Sequence, residues 1–204
     1  MPLAPTDSRE GGALAGTSSG AHVLADGTTA APVWIGDAGR PAFGWFHSPS
    51  GDRCRGGAVI CPPVGQDYIR AHYAIRLLAE QLAAAGFCAL RFDYDGTGDS
   101  AGDDEGPERT ASWLATVGQA MTALRAAGIP RLSLVGLRLG ATLAAVAAAA
   151  DGGADDVVLW DPYVSGRDFL REQALMSSAM FGTEPSGDGS VEVPGFWYGA
   201  VAAG

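Results

Sequence analysis

Leu132-Ser133-Leu134-Val135-Gly136-Leu137-Arg138-Leu139-Gly140-Ala141 is the stretch whose reading decides the fold. An apolar run that includes a β-branched residue enters a Gly-x-Arg-x-Gly turn. A small-residue run, Ala141 to Ala150, then leaves it as a helix. A strand that becomes a helix within so few residues lifts the central side chain of the turn above the sheet. Here that side chain is Arg138, a guanidinium that stays charged and cannot act as a nucleophile.

Outward from this turn, strand and helix signals alternate. Val33–Ile35 and Ala42–His47, joined through Gly36-Asp37-Ala38-Gly39, read as an antiparallel hairpin. Gly57–Cys61 is a buried strand stopped by Pro62-Pro63. The spacing of Ile75, Leu78 and Leu82 predicts a helix over about 68–85, ended by Gly86. Phe87–Phe92 is the next strand, and Trp113, Val117, Met121 and Leu124 mark a helix over about 108–127. Leu132–Val135 and Val157–Trp160 are further strands, the second ending at Asp161-Pro162-Tyr163. The pattern predicts an α/β fold, a mostly parallel sheet with helices on both faces. Residues 1–30 are rich in Gly, Ala, Ser and Thr and are expected to form a disordered tail. The core is expected over 31–164. A partial cap over 165–204 would consist of an amphipathic helix, Ser165 to Ser178, with Phe169, Leu170 and Leu175 available for packing, and a Gly-rich end with exposed Phe196-Trp197-Tyr198.

Composition narrows the chemistry. All 13 basic residues are arginines, so no lysine is available for a phosphate-binding loop or a Schiff base. A net charge of -10 argues against nucleic acid as a partner. Cys54, Cys61 and Cys88 lack metal-site spacing and read as reduced core thiols of a cytoplasmic protein. Asp7, Arg9 and Glu10 do not fit a signal peptide, and the uncharged run Leu139–Ala150 is too short to span a membrane. The acidic loop from Asp93 to Glu105 lacks a closing glutamate at EF-hand spacing, so turn formation explains it better than a metal. Gly96-Thr97-Gly98 opens no helix, and no cofactor is expected.

The order of these elements resembles the α/β-hydrolase superfamily over about residues 31–204. Three signatures carry the likeness: the pair Ala58–Cys61 and Tyr68–Gly86 followed by Phe87–Phe92, the loop Asp93-Tyr94-Asp95-Gly96-Thr97-Gly98-Asp99-Ser100, and the turn around Arg138. Pro62-Pro63 and Gly136-Leu137-Arg138-Leu139-Gly140 are most similar to the serine-aminopeptidase-like group, including exosortase-associated hydrolases. The resemblance implies that Arg138 stands at the nucleophile position. One oxyanion donor would be the Leu139 amide, and the other would be Val64 or Gly65, since Pro62 and Pro63 carry no N–H. It also implies that Asp161 is the candidate acid, that the strands carrying the usual acid and His have no counterpart here, and that the sheet lacks its last strands.

Other residues weigh less. His22 falls in the expected tail, His47 at a strand end and His72 in a helix, and none follows Arg138 in the chain as the family's triad requires. Asp161 is either a strand-ending carboxylate or a partner of Arg138. Ser100, Ser133 and Ser165 are not presented at the turn, and Cys61 reads as an inert buried thiol. Two functions stay open. One is a lineage of ester, amide or thioester hydrolases whose His lies beyond this sequence. The other is a non-catalytic pseudo-hydrolase that binds a small acyl or carboxylate ligand, or a protein partner, through Arg138. A third, duller reading is a truncated product without function. The truncated reading leaves Val157–Trp160 as an open sheet edge, and a partner chain that completes the sheet is the expectation if the whole protein lacks the missing strands.

Overall fold

Gly57-Ala58-Val59-Ile60-Cys61, buried at every position, forms β4 near the centre of the sheet. A strand covered on both faces needs this unbroken apolar run. The computed structural model describes residues 20–51, 53–103, 108–182, 191–193 and 196–198. Their main sheet also contains β1 (His22–Val23), β2 (Thr29–Ile35), β3 (Ala42–Ser48), β5 (Cys88–Phe92), β6 (Leu132–Leu137) and β7 (Asp156–Trp160), in the order β1-β2-β3-β5-β4-β6-β7. β5, β4, β6 and β7 run parallel, and β3, β2 and β1 extend the sheet antiparallel. A small hairpin, β8 (Val191–Val193) with β9 (Phe196–Tyr198), stands apart from that sheet.

Helices cover both faces. On one, α1 (Gln66–Ala84) packs Ile75 and Ala79 against Ile60 and Ala89. On the other, α2 (Arg109–Ala126) and α3 (Leu139–Asp151) pack Trp113, Val117, Met121, Leu124, Leu143 and Ala144 against Val59, Leu90 and Leu134. α4 (Gly166–Phe181) follows β7, and the Ser165 side chain caps it by accepting from the Asp168 amide. Asp93 and Ser100 tie their loop to itself and to β3. The Ser100 hydroxyl donates to the Asp93 carbonyl at 2.7 Å and accepts the Phe43 amide at 2.8 Å. No helix among the described residues is long and apolar enough to cross a membrane.

The structure corrects several expectations. The sheet begins at His22 rather than after residue 30, because Ala30 and His22 pair directly. Residues 1–19 of the expected tail lie outside the described residues, as do Asp104 and Glu105 and the side chains of Phe196, Trp197 and Tyr198. Cys54 and Cys88 are joined as a disulfide with their Cα atoms 5.5 Å apart, since Arg55 and Gly56 pair with the backbone at the start of β5. The cysteines therefore no longer argue for a reducing compartment. Cys61 is free and buried, and burial pushes its thiol up to about 12. On α4, Phe169 and Leu170 pack inward while Leu175 is exposed, because the buried stripe continues through Gln173 and Ser177 instead. Every residue of β7 is exposed, so the main sheet ends on an unpaired apolar edge among the described residues.

His47 gives the fold a pH dependence. Burial, with Arg91 and Arg76 adding repulsion, lowers its pKa to about 4. The unfolded chain, with an ordinary imidazole near 6.5, takes up a proton that the folded state refuses. The contribution is therefore fully present above pH ~6.5 and is lost as pH falls towards 4, up to about 3 kcal/mol in total. Urea unfolding between pH 7 and 4.5 is expected to show this slope, and His47→Gln is expected to flatten it. An unchanged slope in the variant would assign the effect to other groups.

Candidate functional site

Two helices begin in the same unusual way at the carboxyl ends of neighbouring strands. Gly65, which caps α1 after β4, has φ 63° and ψ -138°. Arg138, which caps α3 after β6, has φ 56° and ψ -123°. Neither helix has a side-chain cap, so the first amides of each lack an intrahelical partner. Glycine tolerates this backbone, whereas arginine is strained by about 1–3 kcal/mol. The glycines flanking Arg138 explain how the turn is made. A Cβ on Gly136 would collide with Ala141 at the start of α3, and one on Gly140 would strike the carbonyls of Cys61 and Pro62. The Gly-x-Arg-x-Gly spacing thus lets the helix fold back on its own strand and press against the end of β4.

The strained arginine is held by what surrounds it. Its Nη1 donates to Asp161 Oδ2 at 2.7 Å and its Nε to Asp67 Oδ2 at 3.3 Å. Nη2 donates to the Tyr163 hydroxyl and to Glu172. The guanidinium also lies over the Tyr163 ring, 4.4 Å from its centre. Four of the five guanidinium N–H bonds are therefore engaged, and three carboxylates surround one cation. Burial works to lower the Arg138 pKa, but the hydrogen bond to Asp161, the Tyr163 hydroxyl and Asp67 outweigh it and raise it above the ordinary arginine value. The Tyr163 pKa is raised by burial and by Asp67 and Glu172, against the pull of Arg138. Asp161, at φ 50°, is the only other non-glycine residue of positive φ among the described residues. The two strained residues thus face each other across the ends of β6 and β7, where the Arg138 amide donates to the Trp160 carbonyl at 2.9 Å.

The structure brings together Arg138 and Asp161, with Val64 and Gly65 on the adjoining turn and Leu139 opening α3. It does not bring a histidine to them. His47 is buried and accepts from Arg91 Nε at 3.1 Å, His72 is exposed on α1, and His22 sits on β1 against Trp45. Three residues of the network, Asp67, Tyr163 and Glu172, escaped the sequence reading. Starting α1 at Gln66 instead of Tyr68 places Asp67 in its first turn, and an acidic residue there was a usable signal. Nothing in the spacing of Glu172 marks it, since α4 meets the turn only through tertiary packing. Among the described residues, no group of three His, Cys, Asp or Glu side chains could hold a metal ion.

This architecture is that of the α/β-hydrolases. The chain is similar to an esterase of Pyrococcus furiosus at 17% identity and a TM-score of 0.58, covering 74% of this chain and 56% of that one. It is similar to proline iminopeptidase of Mycobacterium smegmatis at 17% identity and a TM-score of 0.55, covering 74% and 50%. An α/β hydrolase of a Penicillium species matches at 20% identity and a TM-score of 0.55, covering 79% and 61%. The chain thus spans about half to three-fifths of the solved structures it matches. No family model and no curated protein matches its sequence.

Proposed function

We propose that the chain derives from hydrolases of ester, amide or thioester bonds and has turned the nucleophile position into a structural clamp, leaving a pseudo-hydrolase. The observation that carries this reading is the saturation of Arg138 by Asp67, Asp161, Tyr163 and Glu172. A nucleophile must be free to reach an acyl carbon and needs a base to take its proton. Arg138 offers neither a lone pair nor a histidine partner. The same saturation weighs against an anionic ligand at Arg138, because three carboxylates around one cation give the cluster a net negative formal charge. In this reading the guanidinium ties α1, the end of β7 and α4 to the turn.

The test is a panel of nitrophenyl esters and acyl thioesters given to residues 1–204 and to their Arg138→Ser variant. Neither is expected to turn over substrate above the buffer rate, since none of the three histidines in these residues stands beside the turn to activate a restored serine. Turnover by the native chain that Arg138→Met abolishes would overturn the proposal.

A further inference from the structure

A cleft of about 210 Å³ opens between α1 and the strands β3 and β5, and Arg138 is not among its lining residues. Its floor is built by cross-strand register. Arg91 of β5 pairs with Trp45 of β3 on one side and Ile60 of β4 on the other. Phe43 lies two residues before Trp45 on the same face of β3, and Tyr68, His72 and Ile75 of α1 form the opposite wall.

Arg91 is the unusual member. Its Nε donates to His47 Nε2 at 3.1 Å, and its guanidinium lies 5.3 Å from the centre of the Trp45 ring. Among the described residues, its two Nη groups donate to nothing and no carboxylate lies within ion-pair distance. Arg40 and Arg138, by contrast, each hold carboxylates. Asp93, which lines the same cleft, is already engaged: Oδ1 accepts the Tyr68 hydroxyl at 2.8 Å and Oδ2 the Asp99 amide at 3.1 Å. A half-buried cation without an ion-pair partner is costly: burial lowers the Arg91 pKa, and the more distant pull of Asp93 and Glu80 does not cancel that.

We propose that this cleft binds a small monocarboxylate with a flat apolar body. Its carboxylate is held by the Nη groups of Arg91, and its body packs against Phe43 and Ile75. A planar fork with two free donor groups matches a carboxylate in bidentate geometry. The aromatic and aliphatic walls suit a flat body, and the volume limits it to a fragment-sized ligand. Asp93 and Asp99 at the same cleft repel a second negative charge, so the site selects against dianions.

Benzoate is the probe, titrated calorimetrically at low salt beside its neutral isostere benzamide and the dianion phthalate. Saturable binding of benzoate at one site is expected, with benzamide and phthalate at least about tenfold weaker. Arg91→Gln is expected to weaken benzoate by about tenfold or more, and Arg91→Lys to fall between, since it keeps the charge and loses the fork. Should Arg91→Gln fail to fold, His72→Glu decides the matter, because it adds a negative charge at an exposed rim position and is expected to weaken benzoate several-fold. Benzoate binding no tighter than benzamide, binding indifferent to these substitutions, or no saturation by about 20 mM (a ceiling beyond fragment affinity) would overturn the proposal.

Discussion

Arg138→Met is expected to lower the unfolding free energy by about 3 kcal/mol and the midpoint of thermal unfolding by roughly 9 °C. The substitution keeps the apolar stem over Tyr163 and removes the charge. Asp67, Asp161 and Glu172 would then face one another without a cation. Breaking a fully buried pair by removing one partner costs about 3–5 kcal/mol, and the low end applies here because Asp161 is mostly solvated. Most of the cost falls on Asp67, whose side chain is only 13% exposed. A double-mutant cycle separates charge from packing. Asp67→Asn alone is expected to destabilise the protein, while in the Arg138→Met background it is expected to restore about 1 kcal/mol by removing one repelling carboxylate. If the two changes simply add in urea unfolding, Arg138 does not act as a clamp.

Gly140→Ala is expected to cost at least about 3 kcal/mol, or to remove the cooperative transition altogether. The added methyl meets the carbonyl oxygens of Cys61 and Pro62, which are backbone and cannot rotate away. Either the end of β4 moves away from α3 or the Arg138 turn opens. Gly118→Ala on α2 is the matched control, because a Cβ there meets nothing within 4 Å and a helical alanine is favoured by about 0.5–1 kcal/mol. Denaturant unfolding of both variants checks the pair. A Gly140→Ala protein within about 1 kcal/mol of the parent would mean that the turn tolerates a wider approach than its geometry implies.

These expectations depend on different levels of the molecule. The alternation of buried runs with helical spacing was enough for the parallel core, because Gly57–Cys61 and Leu132–Val135 read as strands by their mainly apolar content. The Gly-x-Arg-x-Gly spacing was enough for the turn because an apolar strand enters it and a small-residue helix leaves it, the context in which such glycines permit a close backbone approach. Local pattern failed where contacts span the chain. Cys54 and Cys88 are 34 residues apart and meet only because the segment before β4 pairs beside β5. The first strand was hidden in a Gly- and Ser-rich segment, since His22–Val23 gains its strand character from β2 rather than from its own composition.

The site divides in the same way. By itself the sequence determined that the tip of the turn carries an arginine in place of a nucleophile, and that no histidine follows it in the 204 residues. Both are facts of residue identity and need no packing to be read. Only the tertiary structure decided what that arginine does, because Asp67, Asp161 and Glu172 are separated from it by 71, 23 and 34 positions. It also decided that Arg91, one arginine among 13, lines a cleft with its two Nη groups without a partner among the described residues. A charge acquires its role from the charges brought within a few ångströms of it, and chain folding, not sequence spacing, sets those distances.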